Sequence, residues 1–247
     1  MATAILVRHG RTTANATGVL AGRTTGVKLD EVGRQQASTT AERLGVVPLA
    51  AVVTSPLERC RQTAAAIVGA QATALKPSTD RGLLECDYGD WQGEQLKVLV
   101  KHALWPAIQS QPSSVTFPGG ESMVAMSSRA ISSIRRHDAA VAAEHGDQAT
   151  WVAVSHGDVI KAIVADALGM HLDLFQRINI DPASVTIIRY TSARPYVLSV
   201  NTHAGDLSWL RPAPPTKGKG RSRSRAKASA PTDAVVGGGA GPVPASA

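Results

Sequence analysis

Three short, unbroken apolar runs constrain the fold of this chain more than any other feature of its sequence. They cover residues 4–7, 49–53 and 151–154, and each is followed by apolar residues at helical spacing. Continuous apolar runs of this length are typical of strands that are covered on both faces, and their alternation with helices favours parallel pairing. The sequence therefore predicts an α/β domain, a three-layer α/β/α sandwich around a mainly parallel mixed sheet.

Other local signals place further elements. Asp30 can cap a helix that Gly45 ends, and apolar residues between Met123 and Val141 mark a longer helix. Two runs at residues 185–191 and 196–200 read as strands joined in a hairpin.

The composition is typical of a globular protein. The chain has 247 residues, of which 43% are hydrophobic, enough for a sizeable core in one domain. No apolar stretch reaches the roughly 18 residues of a membrane span, and no signal peptide is evident, so a cytoplasmic location is expected. The two cysteines, Cys60 and Cys86, make neither a disulfide framework nor a zinc set.

The net charge of +7 is concentrated at one end of the chain. Residues 211–247 contain seven lysines or arginines and one acid, whereas residues 1–210 are nearly neutral. This tail is rich in Pro, Gly, Ser and Ala, so we expect a catalytic domain over residues 1–210 and a disordered basic tail over residues 211–247. Contact of the tail with nucleic acid is less favoured than a solubilising role, because no aromatic residue lies among its basic residues.

Polar residues follow each apolar run, in the stretches "RHG", "TSPLER" and "SHG". Ligands of open α/β sheets bind beyond the carboxyl ends of the strands. Taken singly, such a residue is more often an ordinary solvated boundary residue, but three coincident strand ends favour a site. We therefore expect Arg8, His9, Arg59 and His156 to converge at one edge of the sheet.

Two arginines and two imidazoles suit phosphoryl transfer. Arg8 and Arg59 would bind the phosphate oxygens, because a guanidinium group contacts two oxygens at once and keeps its charge. A neutral imidazole, of His9 or of His156, can attack phosphorus and hold it covalently. Gly157 opens a helix whose unpaired amides favour an anion.

Six stretches of the sequence, in this order, resemble the motifs of the histidine phosphatase superfamily, also called phosphoglycerate mutase-like. They are "LVRHGRTTAN", "LDEVGRQQA", "TSPLERCRQTA", "ECDYGDWQG", "PGGES" and "VSHGDVIKA", and the resemblance covers about residues 3–201. It implies that His9 is the nucleophile that becomes phosphohistidine. It also implies a phosphate pocket formed by Arg8, Arg59 and His156.

The resemblance extends to three further residues. Glu85 matches the proton donor and acceptor of the superfamily, Asn15 a phosphate-contacting position, and Arg23 a basic site nearby. From the residues alone, Glu85 would be a loop carboxylate in a stretch rich in turn residues.

The choice between hydrolysis and phosphate transfer depends on the segment after Glu85. Mutases of the superfamily typically continue with a His-Tyr-Gly type run and then an arginine-bearing insertion. Here "CDYGDWQG" follows, and no arginine occurs between Gly93 and Ser128. Residues 95–118 are largely apolar, and only Lys97 and Lys101 supply charge. A mutase needs a strongly cationic lid to keep water from its intermediate.

The sequence therefore predicts a phosphomonoester hydrolase, of the histidine acid or broad-specificity type, acting on a small phosphorylated metabolite. The alternatives are a cofactor-dependent phosphoglycerate mutase or related phosphomutase, and a noncatalytic phosphate-binding module. The weakly charged lid suggests a substrate with a neutral or apolar body. No metal or cofactor is expected, and the sequence does not decide whether the chain forms a homo-oligomer.

Several other polar residues receive ordinary structural interpretations. We expect Asp158 to cap its helix or to face solvent at its start. Five further histidines share no metal-ligand spacing and are expected at the surface. They are His102, His137, His145, His171 and His203.

Overall fold

The apolar run near the start of the chain becomes a central strand of a mixed sheet. The computed structural model describes residues 1–205 and 236–241. The strands are β1 (Thr3–Arg8), β2 (Ala51–Thr54), β3 (Ser78–Thr79), β4 (Thr150–Ser155), β5 (Val185–Arg189) and β6 (Tyr196–Thr202). Over the described residues they form one six-stranded sheet in the order β3-β2-β4-β1-β5-β6. The predicted strands are confirmed, with β2 starting at Ala51 rather than at residue 49.

Helices connect most of the strands. They are α1 (Thr13–Thr17), α2 (Glu31–Leu44), α3 (Glu58–Gly69), α4 (Leu96–Leu99), α5 (Trp105–Ser110), α6 (Met123–His145) and α7 (Gly157–Ala167). Short 3₁₀ turns lie at Arg81–Leu83, Gly89–Trp91, Pro112–Ser114 and Leu172–Arg177. Asp30 caps α2 by accepting the Gly33 N–H at 2.7 Å, and Gly45 follows the last residue of this helix, as predicted.

Alternate residues of β1 enter two different cores. Ala4 and Leu6 belong to a hydrophobic cluster that includes residues of α6 and α7. Ile5 and Val7 belong to a second cluster, with residues of α2 and α3. Since successive side chains of a strand point to opposite faces, helices cover both faces of the sheet, and the predicted three-layer α/β/α sandwich is confirmed.

The pairing of the strands brings the predicted strand ends together. β1 and β2 both run parallel to β4, with Arg8 opposite Ser155 and Thr54 opposite Val154. The carboxyl ends of these strands therefore lie at one edge of the sheet. β5 pairs antiparallel with β1 and with β6, so the predicted hairpin is confirmed and the sheet is mixed.

Only residues 236–241 of the predicted tail are among the described residues. The predicted boundary at Leu210 and most of the predicted tail lie outside the described residues. Residues 236–241 are described, and Val236 is only 1% exposed, within the first hydrophobic cluster. This short stretch packs against the domain, since Val236 buries its apolar side chain in that cluster.

The structure also bears on the expectations about the two cysteines and about membrane spans. Cys60 and Cys86 are buried free thiols. In the part of the chain that the structure describes, no helix is both long enough and apolar enough to cross a membrane.

A buried carboxylate joins the start of β1 to α6 and β4. The Asp138 side chain is fully buried and accepts the Ala2 N–H and the Trp151 Nε1–H, each at 3.1 Å.

We expect Asp138→Ala to lower the free energy of unfolding by about 2–4 kcal/mol, because it leaves two buried donors without an acceptor. Urea denaturation measures this loss. Glu144→Ala, at an exposed position of the same helix, is the control and should change stability by less than about 0.5 kcal/mol. An equal effect of both substitutions would contradict the assignment.

Candidate active site

His9 lies just beyond the carboxyl end of β1, beside the end of β4. Its backbone N–H donates to the Ser155 carbonyl at 3.0 Å, and its ring lies 5.2 Å from the His156 ring, centroid to centroid. Gly10 allows the close approach of α2, because a Cβ at this position would lie 2.3 Å from the Gly33 carbonyl oxygen. The predicted meeting of the two imidazoles at the sheet edge is confirmed.

The local hydrogen bonds of His9 assign its tautomer. Nδ1 lies 2.8 Å from the Gly10 carbonyl oxygen, which can only accept, so Nδ1 carries the proton. Nε2 accepts the Nε–H of Arg59 at 3.2 Å and therefore carries the lone pair. Burial lowers the pKa of His9 well below its ordinary value, and the charges of Arg59 and Arg8 lower it further. His9 is thus a neutral imidazole with a nucleophilic Nε2.

The second imidazole is oriented in a similar way. Nδ1 of His156 lies 3.2 Å from Arg59 Nη2, a donor, so Nε2–H donates to Ser55 Oγ at 2.8 Å. Burial is the largest cause that lowers the pKa of His156 well below its ordinary value, followed by the charge of Arg59. These surroundings keep His156 neutral near pH 7.

Two buried guanidinium groups flank the imidazoles. Arg8 is the last residue of β1 and is fully buried, and Arg59 lies in the first turn of α3 and is 2% exposed. Arg8 Nη1 donates to the Ile180 carbonyl at 2.8 Å, and Arg59 Nη2 donates to the Gly22 carbonyl at 2.7 Å.

Each guanidinium group also keeps one nitrogen without an acceptor. Arg8 Nε and Arg59 Nη1 are buried and have no hydrogen-bond partner among the described residues. Buried donors are nearly always paired in native proteins. Each of the two buried cations therefore has a free donor for an anion with several acceptor oxygens.

Glu85 is a buried carboxyl group near these cations. It is 3% exposed, and Oε1 accepts the Cys86 N–H at 3.0 Å. Burial, with a further contribution from the charge of Asp158, raises the pKa of Glu85 from 4.5 to about 8, although Arg59 and Arg8 act against this shift. The carboxyl group is mostly protonated at pH 7, the state that a general acid requires.

Arg23 lies beside the Glu85 loop, where it contacts two carboxylates. Its Nε donates to the Glu85 carbonyl at 3.0 Å, and its two terminal nitrogens donate to Asp87 and Glu121 at 3.1 and 2.8 Å. Arg129, which the sequence did not single out, donates from Nη2 to the same Glu85 carbonyl at 3.0 Å. The two arginines hold the backbone of the Glu85 loop, and phosphate binding by Arg23 stays a prediction.

Asn15 lies within the short helix α1, and Gly157 begins α7. Asn15 lines a small cavity together with His9 and Arg59, and its Oδ1 accepts the N–H and Oγ–H of Thr12 in a capping box at the start of α1. Gly157 is the first residue of α7, directly after His156. Both positions suit the approach of an anion to backbone or amide donors.

Asp158 is buried, so the expectation that it faces solvent is wrong. It is fully buried, accepts the Tyr88 O–H at 2.8 Å and lies 3.5 Å from Lys161 Nζ. Its Oδ2 also accepts the Gly237 N–H at 2.9 Å. Tyr88 was missed as well, because an isolated tyrosine in a turn-rich stretch gives no signal of its distant partner.

The five other histidines lie away from this cluster. His102, His145 and His171 are exposed, whereas His137 and His203 are half-buried beside Asp80 and Asp181. Among residues 1–205 and 236–241, no three histidine, cysteine, aspartate or glutamate side chains are grouped to hold a metal ion. A reaction without a metal stays a prediction.

The apolar character of residues 95–118 has a structural cause. Trp105, Ile108, Val115 and Phe117 are buried in the first hydrophobic cluster. From this segment, Leu96 lines the cavity beside His9. Most of the apolar side chains therefore serve packing, and they do not support the inference of an apolar substrate.

Comparison with known proteins agrees with this geometry. A sequence model of the histidine phosphatase superfamily (branch 1) matches residues 4–203. The chain belongs to this superfamily. A structure of a mycobacterial glucosyl-3-phosphoglycerate phosphatase is similar, with a TM-score of 0.70 at 26% identity, over 81% of this chain and 98% of that one.

Two curated relatives align with most of this chain. Phosphoserine phosphatase 1 of Hydrogenobacter thermophilus is 31% identical over 209 residues, 82% of this chain and 94% of that protein. The bifunctional protein Rv2228c of Mycobacterium tuberculosis is 34% identical over 196 residues, 75% of this chain and 50% of that protein. The chain therefore spans about half the length of the second relative.

The raised pKa of Glu85 predicts how stability depends on pH. The folded protein holds this proton up to about pH 8, whereas the unfolded chain releases it near pH 4.5. Glu85 therefore stabilises the fold fully below about pH 4.5, and this contribution, on the order of a few kcal/mol, is lost as the pH rises through about 8.

Comparison of the wild type with Glu85→Gln isolates this contribution. The buried histidines, whose pKa values are lowered, give stability the opposite pH dependence, but they do so in both proteins and cancel in the difference. We expect the stability of the wild type, minus that of Glu85→Gln, to fall between pH 5 and pH 8.5 in urea denaturation, a window set by the ordinary and raised pKa values. A difference that stays constant over this range would contradict the raised pKa.

Proposed function

We propose that the chain is a phosphomonoester phosphatase that acts through a phosphohistidine at His9. The observation that carries the proposal is the state of His9: a neutral ring whose Nε2 lone pair faces a buried arginine. Membership of the superfamily and relatives named as phosphatases support the same activity. The substrate class is a small phosphorylated metabolite.

In the first step, His9 Nε2 attacks phosphorus and the bond from phosphorus to the ester oxygen breaks. Before the reaction, Arg59 Nε–H donates to the lone pair of His9 Nε2. During the attack this N–H donates to a phosphoryl oxygen instead. Arg8 and Arg59 balance the two negative charges of the phosphate. Glu85 gives its proton to the leaving oxygen, which departs as an alcohol.

In the second step, water attacks the phosphohistidine. The Glu85 carboxylate takes a proton from this water, the bond between phosphorus and Nε2 breaks, and His9 returns to its neutral form with release of inorganic phosphate. His156, held by Ser55 and Arg59, lies beside His9 and can donate from Nδ1 to a phosphoryl oxygen once a bound dianion raises its pKa.

The test of the nucleophile is a phosphate-release screen over a panel of phosphomonoesters. We expect the wild type to release phosphate and to form an acid-labile phosphoryl-enzyme on rapid quenching, whereas His9→Ala does neither. His145→Ala, an exposed histidine of α6, is the matched control and should retain full activity. Phosphate release by His9→Ala at the wild-type rate would exclude the mechanism. Transfer to phosphoglycerate with 2,3-bisphosphoglycerate, without net phosphate release, would favour a mutase instead.

The test of the proton donor is Glu85→Gln. We expect kcat to fall by about 10²–10⁴-fold for an alkyl phosphate, because its alkoxide leaving group needs a proton, with little change in Kd for phosphate. The loss should be much smaller for p-nitrophenyl phosphate, whose leaving group is stable as an anion.

The wild-type kcat for the alkyl phosphate should also decline as the pH rises above about 8, where Glu85 loses its proton. Equal kcat values for Glu85→Gln and wild type on the poor leaving group would exclude this role.

A further inference from the structure

A segment near the end of the chain lines the proposed phosphate pocket. Residues 236–241 lie far beyond β6 in sequence, yet Val236 is buried in the core cluster that contains Leu20 and Tyr88. Val236, Gly237, Gly238 and Gly239 line the same small cavity as His9 and Arg59. We call residues 236–241 the glycine segment.

The backbone of the glycine segment binds the groups that surround the phosphate site. The Gly237 and Gly238 carbonyls accept from Arg8 Nη2 at 3.4 and 3.0 Å, and the Gly237 N–H donates to Asp158 Oδ2 at 2.9 Å. The segment thus joins a buried cation and a buried carboxylate that lie on different elements of the sandwich.

The residue type of the segment matches this position. Gly237 and Gly238 both have φ of +74°, a conformation that side chains other than glycine adopt with strain. A Cβ on Gly238 would lie 2.7 Å from Arg8 Nη1, and one on Gly237 would lie 3.0 Å from Leu20 Cδ1. Consecutive glycines are therefore what allows the chain to reach Arg8.

This arrangement leaves a phosphomonoester little room in the pocket and, on Arg8, only Nε without an acceptor. The two carbonyl oxygens use the Arg8 Nη2 donors, and a carbonyl oxygen offers no hydrogen to a phosphate oxygen. With the segment in place, the cavity beside His9 measures about 30 Å³, room for about two water molecules.

We propose that the glycine segment is an intramolecular competitor of the substrate, which must leave Arg8 before a phosphomonoester can bind. The proposal rests on the proposed function, since it takes Arg8 as a phosphate ligand. Because the segment belongs to the same chain, dilution of the protein does not weaken its competition. If the segment is in place in about nine of ten molecules, the apparent affinity for a phosphate analogue is reduced about tenfold.

Amide exchange tests whether the segment and an anion exclude each other. In the full chain, followed by NMR, the Gly237 N–H should be protected, because Asp158 accepts it. Saturating orthovanadate should accelerate its exchange at least several-fold. An unprotected Gly237 amide without vanadate would overturn the proposal. Unchanged or slower exchange with vanadate would also overturn it, since the segment would then close over the ligand as a lid.

Substitutions in the full chain test the competition independently. Gly238→Ala places a Cβ against Arg8, and Val236→Ser weakens the apolar contact, so both should displace the segment. We expect both to bind vanadate up to about tenfold more tightly than the wild type and to lower KM for a phosphomonoester without lowering kcat. Gly205→Ala is the control, because Gly205 also has positive φ but no neighbour within 4 Å of its Cβ position.

The outcomes separate the two proposals. Equal vanadate affinity in all four proteins, or weaker binding in the two displaced variants, overturns the competition and leaves the phosphatase proposal intact. Vanadate binding by neither the wild type nor the displaced variants contradicts the proposed function, and with it the competition. Phosphate release that survives His9→Ala contradicts the phosphohistidine mechanism alone.

Discussion

The candidate active site depends on two positive charges buried at the carboxyl ends of the parallel strands. Arg8 and Arg59 are almost completely removed from water, which is costly for any charge without compensating partners. Backbone carbonyls supply part of that compensation, from Ile180 to Arg8 and from Gly22 to Arg59. The remaining positive potential is available to a dianion, which explains why a phosphate ester is the substrate class that this geometry suits.

Burial, and after it the charges around the pocket, determines the protonation of the neighbouring groups. Two imidazoles beside these cations stay neutral, so His9 keeps its lone pair without a separate base to remove a proton. Glu85 responds in the opposite direction, because its burial and the charge of Asp158 outweigh the attraction of the arginines. A neutral nucleophile and a protonated acid can therefore coexist near pH 7 within one pocket.

The sequence predicted the features that are encoded locally. Unbroken apolar runs identified β1, β2 and β4, and the residues that follow them identified His9, Arg59 and His156, because parallel strands bring their carboxyl ends to one edge. Features set by distant contacts were not predictable. No residue near Asp158 in the sequence indicates that Tyr88 and Gly237 donate to it. Likewise, the carboxylates that bind Arg23 become its neighbours only through the fold. A stretch of glycines in a polar tail is typical of disorder, and its fit against Arg8 depends on contacts that composition does not encode.

Asp158 shows how these distant contacts act together. It lies in the first turn of α7, accepts hydrogen bonds from Tyr88 and from Gly237, and contributes to the raised pKa of Glu85. Each donor that stabilises the Asp158 carboxylate reduces the negative potential that this carboxylate imposes on Glu85. When the Gly237 N–H leaves, that potential increases and the protonated form of Glu85 gains stability. Through Asp158, the contacts of the glycine segment therefore act on the carboxyl group that we propose as the proton donor.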